Sequence, residues 1–153
     1  MMSESIFQKA FTDYMEEDHN LVMNTNVARF FYMTQQVIPQ MKKQSSGHVV
    51  NISAVFVGGS ALMAVLSKST MPALSQALTQ DYAANNIRFN TVSPDVINAP
   101  MHAKADYAAL AKLHPLGRIG EVSDIVDAVL YLQNATFVTG ENIRVDGGAH
   151  AGR

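Results

Sequence analysis

Asn26, Ser53 and Lys68 are residue types whose side chains can hydrogen-bond or take part in proton chemistry. Each also has a plainer reading. Asn26 falls inside a helical stretch, where Asn is disfavoured, so a structural hydrogen bond would account for it. Ser53 follows a run of apolar residues and suits a turn or a helix cap. Lys68 lies in the first turns of a helical segment and, taken alone, reads as a solvated cation. His19, His48, His102, His114 and His150 show no metal-ligand spacing, and surface or local hydrogen bonding is the expectation for them. The absence of cysteine excludes disulfides, thiolate catalysis and thiolate metal sites. No Ser-His-Asp arrangement or paired-carboxylate motif is visible. Glu16, Glu17 and Asp18 read as a solvated acidic face.

The elements that must position these residues belong to a chain of 153 residues, the size of one ordinary domain. A hydrophobic content of 48% supports a packed core rather than disorder. Nine methionines fit that core as adaptable fillers. With a net charge of −2 and no long basic run, nucleic acid is not an expected partner. No apolar run approaches the ~20 residues of a membrane helix. The first residues lack the pattern of a secretory signal, and a cytoplasmic location is the default expectation.

Residues 1–20 predict a loosely ordered segment or a short helix, and 21–153 the domain proper. From about Leu21, Met23, Val27, Phe30, Phe31, Thr34, Ile38 and Met41 recur on one helical face. Lys42, Lys43 and Ser45-Ser46-Gly47 end that helix, the cations lying near the negative end of its dipole. Val49-Val50-Asn51-Ile52 predicts a short, largely buried strand. Gly58-Gly59-Ser60 predicts a turn, followed by a helix over roughly 61–84. Pro72 inside it predicts a kink or a late start. Ile87, Phe89 and Thr91 alternate with polar residues as a strand does. Pro94, Asp95 and Pro100 mark a loop, residues 105–113 a short helix, and His114-Pro115-Leu116-Gly117 its break. Val122, Ile125, Val126, Val129 and Leu130 form a further amphipathic helix. Ile143 and Val145 alternate in a last strand closed by a turn at Asp146-Gly147-Gly148. Strands separated by helices imply parallel pairing through right-handed crossovers. The expected fold class is α/β: a three-stranded parallel sheet with flanking helices, part of a doubly wound Rossmann-type fold.

Several stretches carry a resemblance in order and spacing: Asn26 with Phe30-Phe31 and Gln35; Gly47 to Ser53; Asn86 to Pro94; Pro115 to Gly120; and Val138-Thr139-Gly140 through Val145-Asp146-Gly147-Gly148. Together they resemble the short-chain dehydrogenase/reductase family from about Leu21 to Gly148, its C-terminal portion. The resemblance implies an NAD(P)-dependent oxidoreductase acting on CH–OH groups. In that family a Y-x-x-x-K pair supplies the proton-transferring Tyr and a Lys that lowers its pKa and holds the cofactor ribose. Lys68 matches the Lys, and Ala64 takes the Tyr position. Asn26 matches an Asn that orders a relay water. The catalytic Ser aligns with Ala54, or with Ser53 after a one-residue shift. Pro94 is kept in the P-G-x-x-x-T element, Asp95 replaces its Gly, and Ala99 falls where Thr would contact the nicotinamide. Lys68, Pro94, Val96 and Ile97 are the candidate cofactor contacts.

The T-G-x-x-x-G-x-G turn that cradles the pyrophosphate at a helix N-terminus does not occur among the nine glycines. The Asn-Asn-Ala-Gly segment of the family is also missing. The expectation is a truncated, inactive relative that does not bind NAD(P) tightly by itself. The alternative is a binding or scaffold protein that oligomerises with itself or with full-length homologues. An unpaired edge on the 48–52 strand adds to the expectation of an oligomer. Substrate and NAD-versus-NADP preference are not encoded in any residue identified above.

Overall fold

The computed structural model describes residues 9–55, 61–100 and 105–151. The turn expected at 58–60 lies outside the described residues. The chain builds three parallel strands, β1 (Gly47–Ile52), β2 (Ile87–Pro94) and β3 (Asn142–Val145), in the order β1-β2-β3. Register runs from Gly47 opposite Ile87 to Ile52 opposite Val92, and from Thr91 opposite Asn142 to Pro94 opposite Val145. The fold class expected from alternating strand and helix patterns is therefore the one observed.

The helices are α1 (Glu16–Met23), α2 (Arg29–Gln44), α3 (Leu62–Lys68), α4 (Thr70–Tyr82), α5 (Tyr107–Ala111) and α6 (Val122–Asn134). A 3-10 turn at Phe11–Asp13 precedes α1, which begins at Glu16, inside the 1–20 segment expected to be loosely ordered or a short helix, and runs past the boundary expected near Leu21. The acidic run explains this start. Asp18 accepts a hydrogen bond from the Met15 N–H at 3.0 Å and pairs with Lys9, satisfying an orphan donor of the first turn. A π turn over Asn24–Ala28 joins α1 to α2. The helix expected over 61–84 divides at Ser69, three residues before Pro72, with α4 beginning at Thr70. Pro39 sits within α2 without ending it. The 105–113 helix contracts to the five residues of α5, opened by Asp106 accepting from the Ala109 N–H.

Phe89, Ile87 and Val92 on β2 are fully buried, because β2 has a strand on each side and helices over its faces. Ile38, Met41, Leu78 and Tyr82 complete this core from α2 and α4. β1 is less buried than its composition suggests: its residues are only half-buried, and Ile52 is 46% exposed. It is the sheet edge, so composition gave its strand character and neighbours set its burial. A second network clamps α6 to the sheet. The guanidinium of Arg88 donates to the carbonyls of Leu132, Ala135 and Val138 at 2.8, 3.2 and 3.1 Å. The expected turn after β3 is present, with Gly147 and Gly148 at φ of 57° and 86°.

Candidate functional site

The candidate residues converge where β1 meets α2 and α3. The π turn presents Asn26, whose Nδ2 donates to Ser67 Oγ at 2.9 Å. Ser67 is fully buried and itself donates to the Met63 carbonyl at 3.0 Å. Ser53 is nearly buried, and its Oγ donates to the backbone carbonyl of Lys68 at 2.6 Å. Lys68 Nζ returns a bond to the Ile52 carbonyl at 3.2 Å. The end of β1 and the end of α3 are thus tied in both directions. Burial pushes the Lys68 ammonium below the usual lysine range.

Asn26, Ser53 and Lys68 are therefore brought together. The Ser53 hydroxyl proton is committed to a helix-end carbonyl, in keeping with a capping role. Ala64 lies on α3 with Lys68 one turn further on, and it contributes only a methyl group and a carbonyl that Ser67 Oγ approaches at 3.4 Å. Asn26 and Lys68 line a cavity of about 310 Å³ between α2 and the outer side of β1.

The remaining cofactor candidates are placed differently. The Pro94 carbonyl accepts from the Val55 N–H at 2.6 Å. Ile97 pairs with Gly120 in an isolated parallel bridge, and the Gly120 N–H donates to the Val96 carbonyl at 2.9 Å. Val96 lines a separate cavity of about 370 Å³ with His114, Arg118, Asp124 and Asp146. Lys68 and Val96 thus belong to different cavities. The backbone around them is already used: the Asp95 N–H donates to the Val145 carbonyl and the Asn98 N–H to the Gly120 carbonyl.

Among the described residues, the groups that could meet a nicotinamide dinucleotide are few. Lys68 supplies a cation for a ribose. No glycine-rich phosphate cradle exists in the sequence, and the N–H groups at positions 95 and 98 are consumed internally.

Some site-forming residues had no sequence signal. Asp95 approaches His114, which lines the second cavity, His114 Nε2 lying 3.3 Å from Asp95 Oδ2. His114 Nδ1 faces the Leu110 carbonyl at 3.0 Å, and the imidazole is almost fully buried. Burial pushes the Asp95 carboxyl up, the neighbouring imidazole opposes this, and Asp146 adds to the rise. These residues are far apart in sequence, and no spacing rule joins them. Arg118 forms a bidentate pair with Asp124 at 2.7 and 3.0 Å, which holds the Asp124 carboxyl down to about 2. No group of three or more His, Cys, Asp or Glu suited to a metal ion occurs among the described residues.

Residues 2–150 match the family described as enoyl-(acyl carrier protein) reductase. The chain is 34% identical over 142 residues to the 3-oxoacyl-[acyl-carrier-protein] reductase FabG of Thermotoga maritima, covering 87% of this chain and 57% of that protein. It is 32% identical over 150 residues to the 3alpha-hydroxysteroid dehydrogenase of Mediterraneibacter gnavus, covering 93% of this chain and 60% of that protein. Among solved structures, it resembles a gluconate 5-dehydrogenase from Burkholderia cenocepacia in complex with NADP and tartrate. The TM-score is 0.87 at 22% identity, over 95% of this chain and 61% of that one. ElxO with NADP bound gives a TM-score of 0.85 at 22% identity, over 92% of this chain and 61% of that one. The chain thus spans little more than half the length of these relatives. The ordered sequence matches, the three-stranded parallel sheet and the match over residues 2–150 agree, and the chain belongs to the short-chain dehydrogenase/reductase family.

Proposed function

We propose that this chain is an oxidoreductase relative that, acting alone, neither binds NAD(P) tightly nor transfers hydride. The observation that carries this reading is the contrast at α3. Lys68 is in place, half-buried and tied to β1, while the position one turn before it holds the methyl of Ala64. A positioned acid or base contributes on the order of 10²–10⁴-fold to rate. Without an ionisable group at position 64, Lys68 has no acid there to tune. Asn26 is held by Ser67 and Ser53 by the Lys68 carbonyl, so both serve the fold. NAD(P) is the cofactor class that family membership implies, and the relatives with NADP bound support that class.

The test is calorimetric titration of the purified chain with NADH and with NADPH, alongside turnover assays on secondary alcohols and ketones. The expected result is no binding in the low micromolar range, roughly −8 kcal/mol, and no turnover. Low-micromolar binding or robust turnover would overturn the reading.

The second reading, a binding or scaffold role, is favoured by the surface of α2. Phe31, Tyr32 and Met33 are 56%, 61% and 66% exposed in one run. Covering ~500 Å² of such apolar surface is worth about 12 kcal/mol at ~25 cal/mol per Å². That is comparable to the whole stability of a typical domain, ~5–15 kcal/mol. The proposed partner is a second copy or a full-length homologue, in the cytoplasm. No helix among the described residues is long and apolar enough to cross a membrane, and the chain carries no basic run to suggest nucleic acid.

A further inference from the structure

The cavity between α2 and β1 has a charge imbalance that the reading above leaves unused. Its walls include two cations, Arg29 and Lys68, and no carboxylate among the described residues. Lys68 Nζ makes one hydrogen bond, to the Ile52 carbonyl, which leaves two N–H directions open. The Arg29 guanidinium makes no hydrogen bond or ion pair among the described residues. The lysine is half-buried and carries its charge at a cost in desolvation that no acid offsets. The rest of the lining includes apolar groups, with Phe30 and Val49 half-buried and Met71 buried.

At about 310 Å³ the cavity falls at the small end of the range for small-molecule sites, ~300–1,000 Å³. Two open cationic donor groups beside an apolar wall match one ligand chemistry: an anionic head on an apolar body. We propose that this cavity binds a small organic carboxylate, its head paired with Lys68 and Arg29 and its body lying on Phe30, Val49 and Met71. A planar carboxylate suits the guanidinium fork, and both pairs would be charge-assisted hydrogen bonds. The site requires no dinucleotide. It goes beyond the reading of the chain as an inactive relative and stands or falls separately.

The experiment is calorimetric titration of the cofactor-free chain with hexanoate, with the neutral isostere hexanamide, and with inorganic phosphate. Hexanoate is expected to bind at least about tenfold more tightly than either comparison ligand, a difference of about 1.4 kcal/mol. Its affinity should fall as salt is raised, because Arg29 is exposed. Arg29→Gln and Lys68→Gln should each weaken hexanoate by about tenfold or more while leaving any hexanamide binding unchanged. Arg29 is on the surface, so its variant keeps the test intact should Lys68→Gln fail to fold. Absence of hexanoate binding, or equal binding of hexanoate and hexanamide, overturns the proposal. So does phosphate binding as tightly as hexanoate, or an Arg29→Gln variant that binds hexanoate like the parent. Titration with NADH reads the cofactor question in the same samples, so failure of one conclusion leaves the other distinguishable.

Discussion

Replacing Arg88 with Met tests how the sheet holds α6. Arg88 lies on β2, and its Nη1 reaches three carbonyls at and beyond the C-terminus of α6: Leu132, Ala135 and Val138. Its Nη2 donates to the Gln133 carbonyl at 3.3 Å. The guanidinium therefore satisfies carbonyls that a helix end leaves without partners, and it places a cation at the negative end of the dipole. Methionine keeps much of the apolar stem and removes every donor. A hydrogen bond from a charged donor contributes about 1.5–3 kcal/mol. The three Nη1 contacts share one nitrogen and cannot each count in full. The group is also partly solvated, so water replaces some of what is lost. The expected loss is about 2–4 kcal/mol. For a chain of this size that lowers the melting temperature by roughly 5–15 °C, at ~2–4 °C per kcal/mol. Thermal and urea unfolding followed by far-UV circular dichroism measure it. Arg118→Met is the control, since its ion pair with Asp124 is exposed and exposed pairs contribute little. If Arg88→Met unfolds within about 0.5 kcal/mol of the parent at an unchanged denaturant slope, the clamp is not what fixes α6.

Ala64→Tyr is expected to leave hydride transfer undetectable, since a hydroxyl restored beside Lys68 still has no dinucleotide cradle to work with; measurable ketone reduction by that single variant would contradict this. His48 sits between Gln133, Arg88 and Asn90, and burial, followed by the Arg88 charge, lowers its pKa against an opposing bond to Gln133. The unfolded chain then binds the extra proton more readily than the folded one. This histidine's contribution is therefore fully present above the unfolded value of 6.5 and is lost as pH falls through the lower folded value. Urea midpoints at pH 7.5 and pH 5 should differ more for the parent than for His48→Gln, and an equal pH dependence would discount the effect. Light scattering at low concentration should show a species larger than 16.7 kDa, because β1 has an open edge and α2 an uncovered apolar run; a stable, cooperatively unfolding monomer would refute it.

The sequence by itself determined the element types and their order. Periodicity along 21–41 and 61–84, alternation at 87–91 and the glycine-bearing turn at 146–148 are local signals, because side-chain direction in a helix or strand depends only on backbone period. Through the family pattern it singled out Asn26, Ser53 and Lys68 as candidates and marked Ala64 and the absent glycine-rich turn as departures from that pattern. Boundaries were legible only in part. The start at Glu16 depends on Asp18 capping Met15, and the 61–84 helix breaks at Ser69, three residues before Pro72. Tertiary structure alone decided the rest. By sequence β1 reads as the largely buried strand and β2 as an alternating one, yet β2 is buried and β1 is the sheet edge, since burial depends on what lies alongside. Lys68, at the end of α3, and Val96, in the loop after β2, were grouped as cofactor contacts and line different cavities. Arg29 and Lys68 share a cavity, and Asp95 and His114 meet, only because the tertiary fold brings their elements together. Contacts between residues distant in sequence are set by packing, and no local spacing records them.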